Sequence, residues 1–151
     1  MNKEDFFIKQ ISNSMYNGDD GAFIDGFVYS MDAFFEDVHF KKDWMNLKQI
    51  AYKSMIVNIS DAIAMNARPK YALISIAIPN SYTQEDLKAL VSGFKKAAKD
   101  FDFEIVGGDT IENCKLDISI TIISKTKNPV FRNSVKIDDF ICYTGKLGTS
   151  K

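Results

Sequence analysis

The chain has one histidine, His39, and two cysteines, Cys114 and Cys142, among 151 residues. They stand too far apart for a CxxC or Cys/His zinc pattern, and nothing here resembles a nucleophilic triad. A reducing cytoplasm is the simplest setting for such thiols. An excess of charge is missing too: 19 basic residues face 20 acidic ones with no basic stripe, which argues against general nucleic-acid or membrane-surface attraction. The partner expected is a small molecule or another subunit. The apolar stretches fall short of a membrane span, and no apolar signal segment follows Met1-Asn2-Lys3-Glu4-Asp5, so the expectation is a soluble, unexported protein. Internal repeats, low-complexity tracts and linkers are absent, and the length suits one domain with a real core.

What the chain does have is a dispersed set of aspartates, each beside a glycine, a hydroxyl or a strand end. They lie in Asn17-Gly18-Asp19-Asp20-Gly21, Ser30-Met31-Asp32, Asn58-Ile59-Ser60-Asp61 and Gly107-Gly108-Asp109-Thr110. Hard divalent cations take oxygen ligands, and Mg²⁺ is held by a few carboxylates plus substrate phosphates, so such a set suits a metal–nucleotide site if it converges. Each piece also has a plainer use. Aspartate in a Gly-flanked turn satisfies nearby backbone N–H groups. Asp61, among Ile59, Ala62 and Ile63, either meets a cation or faces water. The two glycines let a backbone approach a phosphate, or simply turn. His39 orients a substrate phosphate or caps a loop; Arg132 pairs with phosphate through its planar fork or is a solvated charge. Gly145 to Lys151 lacks P-loop spacing, and no GxGxxG occurs.

Hydrophobic periodicity orders the elements. A helix from about Lys3 to Met15 leads to a hairpin, Ala22-Phe23-Ile24 and Phe27-Val28-Tyr29 about the turn Asp25-Gly26. That hairpin should bring Asp20 near Asp32. A buried helix from Leu47 to Asn66 places Asn58 and Asp61 on one face. Tyr71 to Ile78 reads as a strand covered on both faces, and Thr83-x-x-Asp86 as a capping box for a helix through Phe101 that packs on a sheet. Phe103 to Val106 reads as a short strand stopping at Gly107, Ile118 to Ile122 as a longer strand, and Phe140 to Thr144 as a last one. The fold class is α+β, a mixed β-sheet with helices on one face.

In chain order, Gly18-Asp19-Asp20, Ser30-Met31-Asp32 with Asp37-Val38-His39-Phe40, Val57-Asn58-Ile59-Ser60-Asp61 with Ala64-Met65, Val106-Gly107-Gly108-Asp109-Thr110 and Thr144-Gly145-x-Leu147-Gly148 cover nearly the whole chain. So arranged, the chain resembles the N-terminal half of the bacterial thiamine-monophosphate kinase family, within the aminoimidazole-ribonucleotide-synthetase-like (PurM-like) superfamily. The resemblance implies that Asp20, Asp32, Asp61 and Asp109 ligate Mg²⁺, with Ser30 as a further ligand. Met31 stands where a hydroxyl residue is common, so only its backbone carbonyl could serve. Phe101, Gly108 and Arg132 would contact ATP, Phe101 without the phenolic OH often found there, and His39 would contact thiamine monophosphate.

The same resemblance implies that residues 1–151 form an ATP- and Mg²⁺-binding dimerisation domain, whose sheet is completed in a homodimer. The family continues into a second α/β domain, absent from this chain. The implied reaction is ATP-dependent phosphorylation of thiamine monophosphate to thiamine diphosphate. Two alternatives are a dimerisation and nucleotide-binding module without turnover, and another superfamily enzyme such as a selenophosphate synthetase relative. Dimerisation is expected to cover the face carrying Ile118 to Ile122.

Overall fold

Two capping boxes set where the major helices begin. The Asn46 side chain accepts from the Gln49 N–H at 2.9 Å, and the Gln49 side chain accepts from the Asn46 N–H at 3.0 Å. Thr83 and Asp86 form the matching pair one helix later, as their spacing predicts. Each box satisfies N–H groups that a helix start leaves without partners.

The computed structural model describes residues 2–12, 14–143 and 145–146, apart from the side chains of residues 4, 5 and 134. In order, the elements are α1 (Lys3–Ile11), β1 (Ala22–Ile24), β2 (Phe27–Phe35), α2 (Leu47–Ala64), β3 (Arg68–Pro79), α3 (Gln84–Asp100), β4 (Glu104–Asn113), β5 (Asp117–Lys125) and a 3₁₀ turn, Arg132–Ser134. One five-stranded sheet has the order β1-β2-β5-β3-β4. It is mixed, with β3 and β4 parallel and the other pairs antiparallel. Asp25 and Gly26 both take positive φ, as the tight hairpin between β1 and β2 requires.

Helices cover one face of β2, β5 and β3, in layers, whereas edge strand β4 is exposed along its whole length. Helix α2 lies across β2 and β5, and its buried residues Ile50, Met55, Ile59 and Ala62 meet Val28, Phe34, Ile118, Ile120 and Ile122 in one core. Helix α3 packs principally on α2 rather than on the sheet, as had been expected of it, and it buries Leu90, Gly93, Phe94 and Ala97. Gly93 sets that contact: a Cβ there would lie 2.3 Å from the Lys48 carbonyl oxygen and 2.8 Å from the Ala51 Cβ.

Several sequence expectations need correction. Strand β4 does not stop at Gly107 but runs through both glycines to Asn113. A bulge permits this: Ile105 pairs with Ala72 and Gly107 with Leu73, which leaves Val106 without a partner. Gly108 then sits at φ +150, where a Cβ would fall 1.7 Å from the Ile74 carbonyl oxygen. The apolar run from Phe140 forms no strand through Tyr143, because Phe140 and Ile141 stand in solvent with no neighbouring strand. Thr144, Leu147 and Gly148, parts of the matching terminal motif, lie outside the described residues.

Strand β3 is covered on one face only. Ala72 and Ile76 are buried under the helix layer, whereas Tyr71 and Leu73 are exposed on the other face. On β5, Ile118, Ile120 and Ile122 are fully buried within the chain itself, so they are not the surface a partner would cover. The uncovered face carries Tyr29, Met31, Tyr71, Leu73, Ile111 and Ile123. Among the described residues, no helix is long and apolar enough to cross a membrane.

Candidate functional site

Side-chain alternation along β2 decides which of its residues can act together. Ser30 and Asp32 point toward α2, whereas Met31 between them points to the open face and is 65% exposed. From α2, Asn58 reaches down to this strand. Its Oδ1 accepts the Asp32 backbone N–H at 2.7 Å, and its Nδ2 donates to the Ser54 carbonyl at 3.0 Å. One turn on, Asp61 comes up against the Asp32 carboxylate. The loop before β1 supplies Asp20, and the segment after β5 supplies Arg132, whose guanidinium pairs with Asp20 while its backbone N–H donates to Asp19 at 2.7 Å.

Asp61, near the end of α2, thus lies within reach of the charges of Asp32, Asp20 and Arg132. Burial pushes the Asp61 carboxyl up to about 6, helped by the negative charges of Asp32 and Asp20 and a hydrogen bond with Asp32, while Arg132 acts in the opposite sense. The expected approach of Asp20 to Asp32 through the hairpin is consistent with this, since both act on Asp61. Nearby, the Ser30 hydroxyl is buried without a hydrogen-bond partner. Among the described residues, no group of three or more His, Cys, Asp or Glu side chains is placed to hold a metal ion by itself. With Asp20 engaged by Arg132, the cluster still carries two further carboxylates and an orphaned hydroxyl, an all-oxygen donor set that fits a hard cation such as Mg²⁺.

The remaining candidates fall elsewhere. Asp109 sits on edge strand β4 in register with Ser75, on the open face of the sheet, so within one chain it does not join Asp32. Its Oδ1 accepts the Thr110 N–H at 2.9 Å. Gly108 has a structural reason to be glycine, its close approach to Ile74, independent of any phosphate. The Nδ1 of His39 accepts the Phe35 N–H at 3.0 Å and its ring stacks on Phe34, so this histidine caps the turn after β2. Phe101 caps α3 and lines a cleft of about 350 Å³ with Ile63, Arg68 and Pro69, just beyond Asp61 along α2. Sequence reasoning placed Asn58 on the Asp61 face of α2 without giving it a partner, and counted Asp19 among the acidic candidates, whereas its carboxylate accepts the Arg132 N–H.

The profile of the family described as AIR synthase related protein, N-terminal domain, matches residues 18–126. Thiamine-monophosphate kinase of Bacillus subtilis is 35% identical over 126 residues, which cover 82% of this chain and 39% of that protein. Thiamine-monophosphate kinase of Aquifex aeolicus is 30% identical over 148 residues, 95% of this chain and 48% of that one. A solved structure described as AaThiL complexed with AMPPCP and TMP superposes with a TM-score of 0.82 at 28% identity, over 88% of this chain and 44% of that one. The chain therefore spans less than half the length of these relatives.

Proposed function

From its membership of the AIR synthase related family, to which the chain belongs through that family's N-terminal domain, we propose that it is the metal- and nucleotide-binding half of a kinase that phosphorylates thiamine monophosphate to thiamine diphosphate with ATP. The observation that supports the proposal is that Asp61 hydrogen-bonds with Asp32 and lies within reach of the charge of Asp20, which pairs with Arg132, while the Ser30 hydroxyl two residues before Asp32 has no partner. In this reading those oxygens hold Mg²⁺, which when bound neutralises phosphate charge. Asn58 fixes the Asp32 backbone, so the carboxylate meets its cation from a rigid strand. In this reading Arg132 offers a planar fork to phosphate oxygens, and the nucleotide's apolar part packs against Phe101.

A phosphate monoester acceptor is already anionic at neutral pH and needs no strong general base. The residues of the site accordingly position and screen charge instead of moving protons. His39, committed through Nδ1 to the Phe35 N–H, keeps Nε2 for the substrate phosphate. We also propose that the open face of the sheet pairs with a second copy. That pairing would cover Tyr29, Met31, Tyr71 and Leu73, and it would give Asp109, on that same face, a route to a shared site.

The test is conversion of thiamine monophosphate by the gene's full product with ATP and Mg²⁺. Thiamine diphosphate formation is the expected result. Nucleotide binding without transfer would favour the binding-module reading, and transfer to selenide in its place would favour a selenophosphate-synthetase-like reading.

A further inference from the structure

We propose that Arg132 is a built-in counter-cation for the aspartate site: it holds Asp20 before metal binds and passes to nucleotide phosphate when metal takes Asp20, with Asp19 as the positioning residue that keeps it within reach of both. This step rests on the metal–nucleotide reading above.

The segment that carries Arg132 is pinned while its side chain is not. Asn66 Nδ2 donates to the Asn128 carbonyl at 2.9 Å, and the Val130 N–H donates to the Met65 carbonyl at 3.3 Å. The Phe131 ring stands edge-on to Phe23, with centroids 6.4 Å apart. Asp19, 113 residues away in sequence, then accepts the Arg132 N–H at 2.7 Å. Beyond that anchor the guanidinium is held by Asp20, and the Arg132 side chain is 65% exposed.

The pair is open to water at its arginine end, 65% exposed, and less so at its Asp20 end, 24% exposed, so the guanidinium can leave through solvent at modest cost. The guanidinium fork matches a carboxylate and a phosphate equally well, so the same group serves before and after the exchange. Adjacent aspartates therefore divide the work. Asp19 spends an oxygen on a backbone N–H and fixes where the arginine starts, whereas Asp20 is the carboxylate that changes partner. Before the exchange, Arg132 offsets the repulsion that gathering Asp20, Asp32 and Asp61 creates.

The chain has only two arginines, Arg68 and Arg132, so their side-chain nitrogen resonances are readily separated by nuclear magnetic resonance. With Mg²⁺ alone, the Arg132 signal should move with the same half-saturation as metal binding while Arg68 stays still; this needs no variant. In the metal-free chain, Asp19→Ala should displace or broaden the Arg132 signal. Without nucleotide, Arg132→Gln should bind Mn²⁺ more tightly, by about twofold or more, because no guanidinium then competes for Asp20, and should bind ATP more weakly. An Arg132 signal unmoved at saturating Mg²⁺, or Mn²⁺ affinity unchanged or weakened in Arg132→Gln, overturns the exchange and leaves the site reading standing. A wild-type chain that binds no Mn²⁺ at millimolar concentration overturns both.

Discussion

At Asp61, burial and the carboxylates of Asp32 and Asp20 favour the protonated acid and lift its pKa from 3.8 to about 6. The folded chain holds this proton more tightly than the unfolded chain does. Its contribution to stability is therefore most favourable at low pH, declines as pH rises between the two values, and stays at full cost above the upper one. We predict that Asp61→Asn, free of that cost, gains melting temperature relative to the wild type as pH rises from about 4 to about 6, with a plateau above. A difference independent of pH would contradict this. Asn58 gives a second residue-level prediction. Removing a buried partner leaves the Asp32 N–H unsatisfied, so Asn58→Ala should lose about 1–3 kcal/mol in urea unfolding and should weaken Mg²⁺ binding as Asp32 loses its support.

Among the elements, α2 and α3 depend on Gly93, which lets their backbones close to a distance no side chain allows. Gly93→Ala should cost about 1–3 kcal/mol through overpacking, against the usual gain for alanine in a helix, and denaturant unfolding would read it. Both helices and the hairpin were legible in the sequence because periodicity, capping boxes and Asp25-Gly26 are local signals. The hairpin also suggested that Asp20 and Asp32 come near each other, whereas the place of Asp61 beside Asp32 depends on how α2 packs over β2. Other features were set by partners distant in sequence. The passage of β4 through Gly107-Gly108 depends on a bulge against β3, and the placement of Asp109 on the open face follows from that pairing. The burial of Ile118, Ile120 and Ile122 under α2, not under a partner, likewise depends on which face the helix takes. Alternation shows that a strand has two faces without saying which one is covered.

For the whole molecule, the uncovered sheet face is the feature that most needs a partner. If two copies join there, Leu73→Glu should halve the mass in light scattering at micromolar concentration, while the helix-covered core stays intact. A wild-type chain already monomeric would remove the proposed pairing. If the aspartates hold a cation for ATP, calorimetry of ATP into the chain, with Mg²⁺ and with a chelator, shows it. Weak binding should appear only with Mg²⁺ and disappear in Asp32→Asn. Equal binding in the chelator, or none with Mg²⁺ at millimolar nucleotide, would contradict it.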